Sequence, residues 1–314
     1  EQPRALMILM GIGGAILFLV INLCLIPELS YHLSQKHIIE TYEESSARLP
    51  GELFRHGNFA SRGGEDVNFY TGQIPDLTSR AEAVERMKDG SRRTFLMVPK
   101  NQWSELNSAF RVAMGGRSIP VLDDRSSRFV LIASSLAPGE DDHNWLAEAT
   151  MTEAEFQAHT EVTRETVNFD EKLQLVGYSL DAPAVRRGGK AILKMYFKVL
   201  DKLPASYRIF MHVDRQGASS RIHGDHWILN LAKETEEQTN CVGCFATSHW
   251  LKDDIVVDTY AIDVPIGSPS GPYDIWMGFY TPGDDRRLTV RSFDSAKVKH
   301  DGQNRVRIGV LTVE

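Results

Sequence analysis

The sequence predicts a single N-terminal transmembrane helix, then a small three-layer α/β domain and an antiparallel β-sandwich. Three observations carry this. Ala5 to Ile26 runs without a charge. Residues 52–133 alternate short apolar runs with helix-period patterns, the signature of an α/β layer domain. Beyond residue 168 the apolar period becomes two and helices nearly vanish, as in a sandwich.

The span comes first. Its only clearly polar residue is Asn22, and about 20 such residues match the hydrocarbon thickness of a bilayer. A buried core helix of that length normally keeps one charged face. A signal peptide fits less well, because the run exceeds a usual signal core and Pro27-Glu28 follows where a small-x-small cleavage site would stand. Arg4 lies before the span and His32, Lys36 and His37 after it, so positive charge barely sets its orientation. The chain opens on Glu1 rather than Met, which predicts either processing or a start inside a longer protein.

With 314 residues, 42% hydrophobic and 25% charged, about two soluble domains should follow the span. A net charge of −7 argues against nucleic acid as a partner, since phosphate neutralisation needs a basic surface. The bounds expected are 1–30 for the transmembrane helix, 31–136 for the α/β domain, 137–167 for an acidic linker and 168–314 for the sandwich.

Within 31–136, Tyr31, Ile38, Ile39 and Tyr42 sit among charges, as in a helix leaving the membrane. Glu52–His56 reads as a strand. Ser79 with Glu82 forms a capping-box pattern opening a helix with Val84 and Met87. Thr94–Val98 is a continuous apolar run, as a buried parallel strand would be. Trp103, Leu106 and Phe110 follow at helical spacing, then strands at Ser118–Leu122 and Phe129–Ala133. Lys100 and Trp103, past a strand end, occupy a place where ligands often bind, though core and solvent suffice to explain them.

Residues 137–167 are rich in carboxylates, with one helix expected around 153–163. Then alternating runs appear: Ala191 to Val199, Tyr207 to Val213, Tyr273 to Phe279 and Val306 to Val310.

The richest polar group lies between His212 and Asp258. His212 and Asp214 are two apart on a strand and share a face; His223, Asp225 and His226 follow on a long loop, beside Trp227. Three readings stand open. The imidazoles and carboxylates suit a divalent metal, with His212, Asp214, His223 and His226 as ligands. They equally suit sugar hydroxyls, with Trp227 or Trp250 stacked on the ring and Asp258 nearby. Or they cap turns. Cys241 and Cys244 form one CxxC, for which a local disulfide is the simplest outcome; a Cys2His2 zinc site with His226 and His249 is a weaker one. Cys24, the third cysteine, lies in the span.

The order of parts resembles the C-terminal extracytoplasmic region of bacterial integral-membrane glycosyltransferases that use polyprenyl-phosphate-linked sugars, of the dolichyl-mannosyltransferase and aminoarabinose-transferase type. Asn68–Tyr70, Phe95–Pro99 and the Trp103 helix carry the likeness of the α/β part. Leu175–Tyr178, Ile209–Asp214, His223–His226, His249–Leu251, Asp254–Asp258, Gly271–Tyr273 and Gly278–Tyr280 carry that of the sandwich, a module appended to some members. The resemblance implies an inner-membrane, single-pass protein with periplasmic domains that binds a glycan or polyprenyl-linked sugar. The family's catalytic carboxylate lies in a loop of a many-helix membrane bundle, so no catalytic residue carries over to this sequence, and no cofactor beyond a divalent metal is expected. Two alternatives stand beside a non-catalytic binding or scaffolding role: an accessory subunit packing its helix against other membrane subunits, or part of an active glycosyltransferase whose catalytic helices lie upstream.

Overall fold

A computed structural model describes residues 2–57, 72, 74–228, 244–293 and 295–314. They fall into two compact units, Glu1–Asn144 and Trp145–Glu314. Asn68–Tyr70 and Cys241 lie outside the described residues.

In the first unit, α1 (Gln2–Val20), a π-helical turn (Ile21–Leu25) and α2 (Ile26–Leu33) run without interruption. Pro27 sits inside this continuous helix, in the first turn of α2. Its ring crowds the carbonyl four residues back and it has no N–H to give. The backbone widens instead, with the Ile26 N–H bonded to the Ile21 carbonyl, five residues back. Asn22 donates to the Phe18 carbonyl at 2.8 Å, so the one polar side chain of the run is satisfied inside its own helix. Among the described residues, Leu9–Ser30 is long and apolar enough to cross a membrane, none of it buried, and it overlaps the expected Ala5–Ile26.

α3 (Lys36–Arg48), β1 (Gly51–His56), β2 (Asp76–Leu77), α4 (Arg80–Lys88), β3 (Arg93–Pro99), α5 (Lys100–Ala113), β4 (Val121–Asp123) and β5 (Phe129–Ala133) complete the unit. The sheet order is β2-β1-β3-β5-β4. β3 is parallel to β1 but antiparallel to β5, so the sheet is mixed rather than purely parallel. Every residue of β3 is buried, because helices cover both faces. Phe95 and Met97 pack with Leu53, Phe129 and Leu131 against Ile38 and Ile39 of α3. Leu96, Val98, Val130 and Ile132 alternate to the opposite face. There Ala83, Val84 and Met87 of α4 and Trp103, Leu106 and Phe110 of α5 are buried. The Ser79 hydroxyl caps α4 from its N-terminus, accepting the Glu82 N–H at 3.1 Å, while the Glu82 carboxylate turns to Thr78.

The acidic stretch expected to be a linker is packed on both sides of the unit boundary. Glu140 is a buried partner of Arg93, and it also takes the Ser45 hydroxyl and the Ala137 N–H. Arg93 further donates to the Ser135, Ser45 and Leu49 carbonyls. One guanidinium thereby ties α3, β3 and the 135–140 segment together.

The second unit opens with α6 (Trp145–Glu148), β6 (Thr150–Met151) and α7 (Glu153–Ala158). Thr152 and Glu155 make a complete capping box on α7, and Phe156 and Val162 pack on Tyr196. The strands are β7 (Val167–Phe169), β8 (Leu173–Leu180), β9 (Ala184–Val185), β10 (Lys190–Val199), β11 (Arg208–Arg215), β12 (Arg221–His223), β13 (Ile255–Asp263), β14 (Gly271–Thr281), β15 (Arg286–Arg287), β16 (Val290–Phe293), β17 (Lys299–His300) and β18 (Val306–Val313). One sheet orders β16-β7-β8-β10-β13-β6; the other orders β12-β11-β14-β18-β17, with β15 on β14 and β9 on β18. All of these pairings are antiparallel except β9–β18.

The fold class is therefore one apolar helix, an α/β layer domain and a β-sandwich. Alternation builds the sandwich core. Leu193, Met195 and Phe197 of β10 and Met277 and Phe279 of β14 are all fully buried, and Phe279 sits edge-on to Phe197 and Phe169 at 5.2 Å each. Tyr196 faces outward under α7. Opposite it, Gly177 leaves no room for a side chain, since a Cβ would meet Val162 at 2.5 Å.

Candidate functional site

β11 and β14 pair in register His212↔Trp276, Phe210↔Gly278 and Arg208↔Tyr280. Residues 208, 210, 212 and 214 thus share the outer face of their sheet with Trp276 and Tyr280. At Gly278 a Cβ would lie 2.4 Å from the Phe210 ring, so glycine there seats that ring flat on the sheet. Arg287 of β15 lies over the same ring at 4.4 Å.

Together Phe210, His212, Asp225, Tyr280, Asp285 and Arg287 line a cleft of about 300 Å³. Asp225 is fixed by the Met211 N–H, which donates to its Oδ1 at 3.0 Å. His212 Nε2 stands 3.9 Å from that same oxygen, and the His223 ring sits edge-on to His212 at 5.5 Å. Behind the cleft, Arg305 donates to His212 Nδ1 at 3.2 Å and to Asp214 at 3.1 Å. It also pairs with Asp301 and covers the Trp276 ring. Arg221 grips Asp214 from the other side at 2.6 Å.

The electrostatics follow from these contacts. Burial, then Arg221 and Arg305, hold the His212 imidazole below its ordinary pKa against the pull of Asp225 and Asp214. Burial would raise Asp214, but the Arg221 hydrogen bond and the two guanidinium charges outweigh it and hold the carboxyl low. Burial pushes the Tyr280 phenol up. At neutral pH the cleft presents a neutral imidazole beside a carboxylate.

Of the sequence candidates, His212, Asp214, His223 and Asp225 come together here. His226 and Asp258 do not: they form a second group, inside the sandwich. Asp258 shares its face of β13 with buried Val256 and Ile262 and is 1% exposed. His226 Nε2 lies 2.9 Å from Asp258 and its Nδ1 2.6 Å from the Gly224 carbonyl. Both ring nitrogens face oxygens. Tyr260 stacks on the ring at 4.0 Å.

Trp227 and Trp250, expected to stack on a sugar, are buried instead. Trp227 packs with Cys244 and Ala246; Trp250 donates to the Phe245 carbonyl at 3.0 Å and faces Phe197. The metal reading also falls. Among the described residues no three His, Cys, Asp or Glu side chains are grouped to hold an ion, and arginines occupy the gaps between them. Cys244 is disulfide-bonded and Cys24 is free.

Sequence reasoning missed Phe210, Tyr280, Arg287 and Arg305. The period-two pattern placed Phe210 on the face of His212, and the Gly278 gap was the one further signal. In the first unit a larger hollow of about 780 Å³ is lined by Met87, Lys88, Arg92 and Arg117 among others. Two of its cations are spent on surface pairs, Arg92 with Glu52 and Lys88 with Glu85. Lys100 Nζ donates to the Asp124 carbonyl at 2.6 Å, and Trp103 is core.

No protein-family model matches the sequence, and no curated protein matches it. Among solved structures, the C-terminal domain of wzt is similar at 10% identity and TM-score 0.32, covering 52% of this chain and 86% of that one. A Niemann-Pick type C2 protein from Japanese carpenter ant is similar at 9% identity and TM-score 0.26, covering 48% and 96%. Likenesses this loose carry no functional argument.

Proposed function

We propose that the chain is a membrane-anchored extracytoplasmic binding protein whose sandwich takes a glycan or polyprenyl-linked sugar in the outer-face cleft. The cleft itself carries this reading: an apolar floor at Phe210, a Tyr280 wall and a rim of His212, Asp225, Asp285 and Arg287. A few convergent polar groups around an aromatic floor suit a polyhydroxylated ring. Half-buried Tyr280 takes the sugar's C–H face, since Arg287 covers the Phe210 ring, while the rim exchanges hydrogen bonds with its hydroxyls.

The helix supports the anchor. Leu9–Ser30 leaves its apolar side chains uncovered, a cost in water that hydrocarbon removes. A single pass with both folded units on the periplasmic side of a bacterial inner membrane completes the reading, in line with the resemblance to the lipid-linked-sugar transferases. The chain then positions its ligand rather than breaking bonds in it.

Two measurements test the proposal. Alkaline carbonate washing should leave the chain in the membrane pellet, and its release intact would remove the anchor. The full chain in lipid nanodiscs should bind members of a glycan array or vesicles bearing polyprenyl-phosphate sugars, about tenfold or more weaker after Tyr280→Ala. Signal on sugar-bearing vesicles but not on the array would assign a lipid-linked ligand; binding to neither would sink the reading.

A further inference from the structure

We infer that the cleft is built to read a vicinal diol on one hexopyranose ring, with His212 as hydrogen-bond donor and Asp225 as acceptor. Arg305 acts as the residue that decides which imidazole nitrogen carries the proton. The inference rests on the reading of the cleft as a glycan site and names what that site selects.

The argument begins at Arg305. A guanidinium has donors and no acceptor, and it does not lose its proton. Its 3.2 Å contact with His212 Nδ1 therefore requires a bare lone pair on that nitrogen. The ring is neutral and its one proton sits on Nε2. At 3.9 Å from Asp225 Oδ1, that N–H is too far to be consumed by the carboxylate.

Asp225 is prepared in the complementary sense. Oδ1 is held by the Met211 N–H, and Oδ2 has no hydrogen-bond partner among the described residues. One free donor and one free acceptor therefore stand side by side on the same rim. Adjacent hydroxyls on a pyranose offer the matching pair: one oxygen accepts from His212 Nε2–H while its neighbour donates to Asp225 Oδ2.

Size and charge narrow the ligand further. About 300 Å³ is the low end of small-molecule sites and holds roughly one sugar ring. Asp225 and Asp285 stand with Arg287 and Arg208, and Asp214 and Asp301 with Arg221 and Arg305, so the charges around the cleft balance and favour neither an anion nor a cation. A neutral hexose remains.

The test uses the full chain in nanodiscs and ligand-observed NMR, with the methyl glycosides of glucose, mannose and galactose and their monodeoxy derivatives as probes. One parent should bind, and removing either hydroxyl of one adjacent pair should weaken it about tenfold or more. Asp225→Asn keeps an oxygen for the Met211 N–H but turns the free acceptor into a donor, so the fold should survive while binding drops by a similar factor. Imidazole ¹⁵N shifts should report the Nε2–H tautomer for His212, and a tautomer mixture in Arg305→Met. Equal binding of a parent and all its deoxy forms, or an unaffected Asp225→Asn, would overturn the diol while leaving a glycan site in place. Binding of no glycoside, no array glycan and no sugar-bearing vesicle would remove both.

Discussion

The charges around His212 are Arg221 on β12, Asp214 on its own strand, Asp225 beyond, and Arg305 leading into β18, with the His223 ring edge-on beside it. Burial and the arginines dominate and depress its pKa. Folded protein thus binds a proton less readily than unfolded chain does. The unfolded state takes protons first as pH falls, so stability drops from the ordinary histidine range down through the depressed value. Chemical denaturation of the wild type between pH 7 and pH 5 should show this loss, and His212→Phe should flatten it. An unchanged slope in the variant would assign the loss to other groups. That His212 and Asp214 share a face was legible from strand period alone. Arg305, which sets the imidazole's proton, was not, because it arrives from the segment before β18, 93 residues away, through a topology that periodicity does not encode.

At the scale of elements, the Arg93–Glu140 clamp shows how composition misleads. Carboxylates crowd residues 137–167 and read as a solvated linker. Yet one of them is buried against a guanidinium, with side chains 1% and 7% exposed, and single apolar anchors such as Leu146 and Phe156 hold the rest. A few anchors suffice to dock a polar segment, and a windowed average dilutes them. Glu140→Ala would leave Arg93 buried without its counter-charge and should cost the first unit about 3–5 kcal/mol, seen as a lowered unfolding midpoint. A loss within about 0.5 kcal/mol would show that the backbone carbonyls around Arg93 suffice. Strand existence in this unit was legible from apolar runs. The antiparallel direction of β5 against β3 was not, because a strand buried on both faces has the same pattern in either sense.

For the whole molecule, the same packing makes a prediction about the boundary. Ala137 and Asn144 are buried in the first unit, and Ala149, Phe156 and Val162 in the second. Proteases need several residues of extended, accessible backbone. Limited digestion of the native chain should therefore leave residues 137–167 uncut while other sites are cleaved. Early cleavage within 137–167 would show these anchors to be weak.

The π turn at Ile21–Leu25 has a consequence along the apolar helix. Each residue advances a regular helix by about 100°, so one extra residue in a turn rotates everything beyond it by that angle relative to what precedes it. The ridge of side chains running along α1 does not continue onto α2; it steps sideways around the cylinder. A straight neighbouring helix can follow that ridge on one side of the turn only. Contacts made along α1 and contacts made near Pro27 must face different azimuths, and so different neighbours.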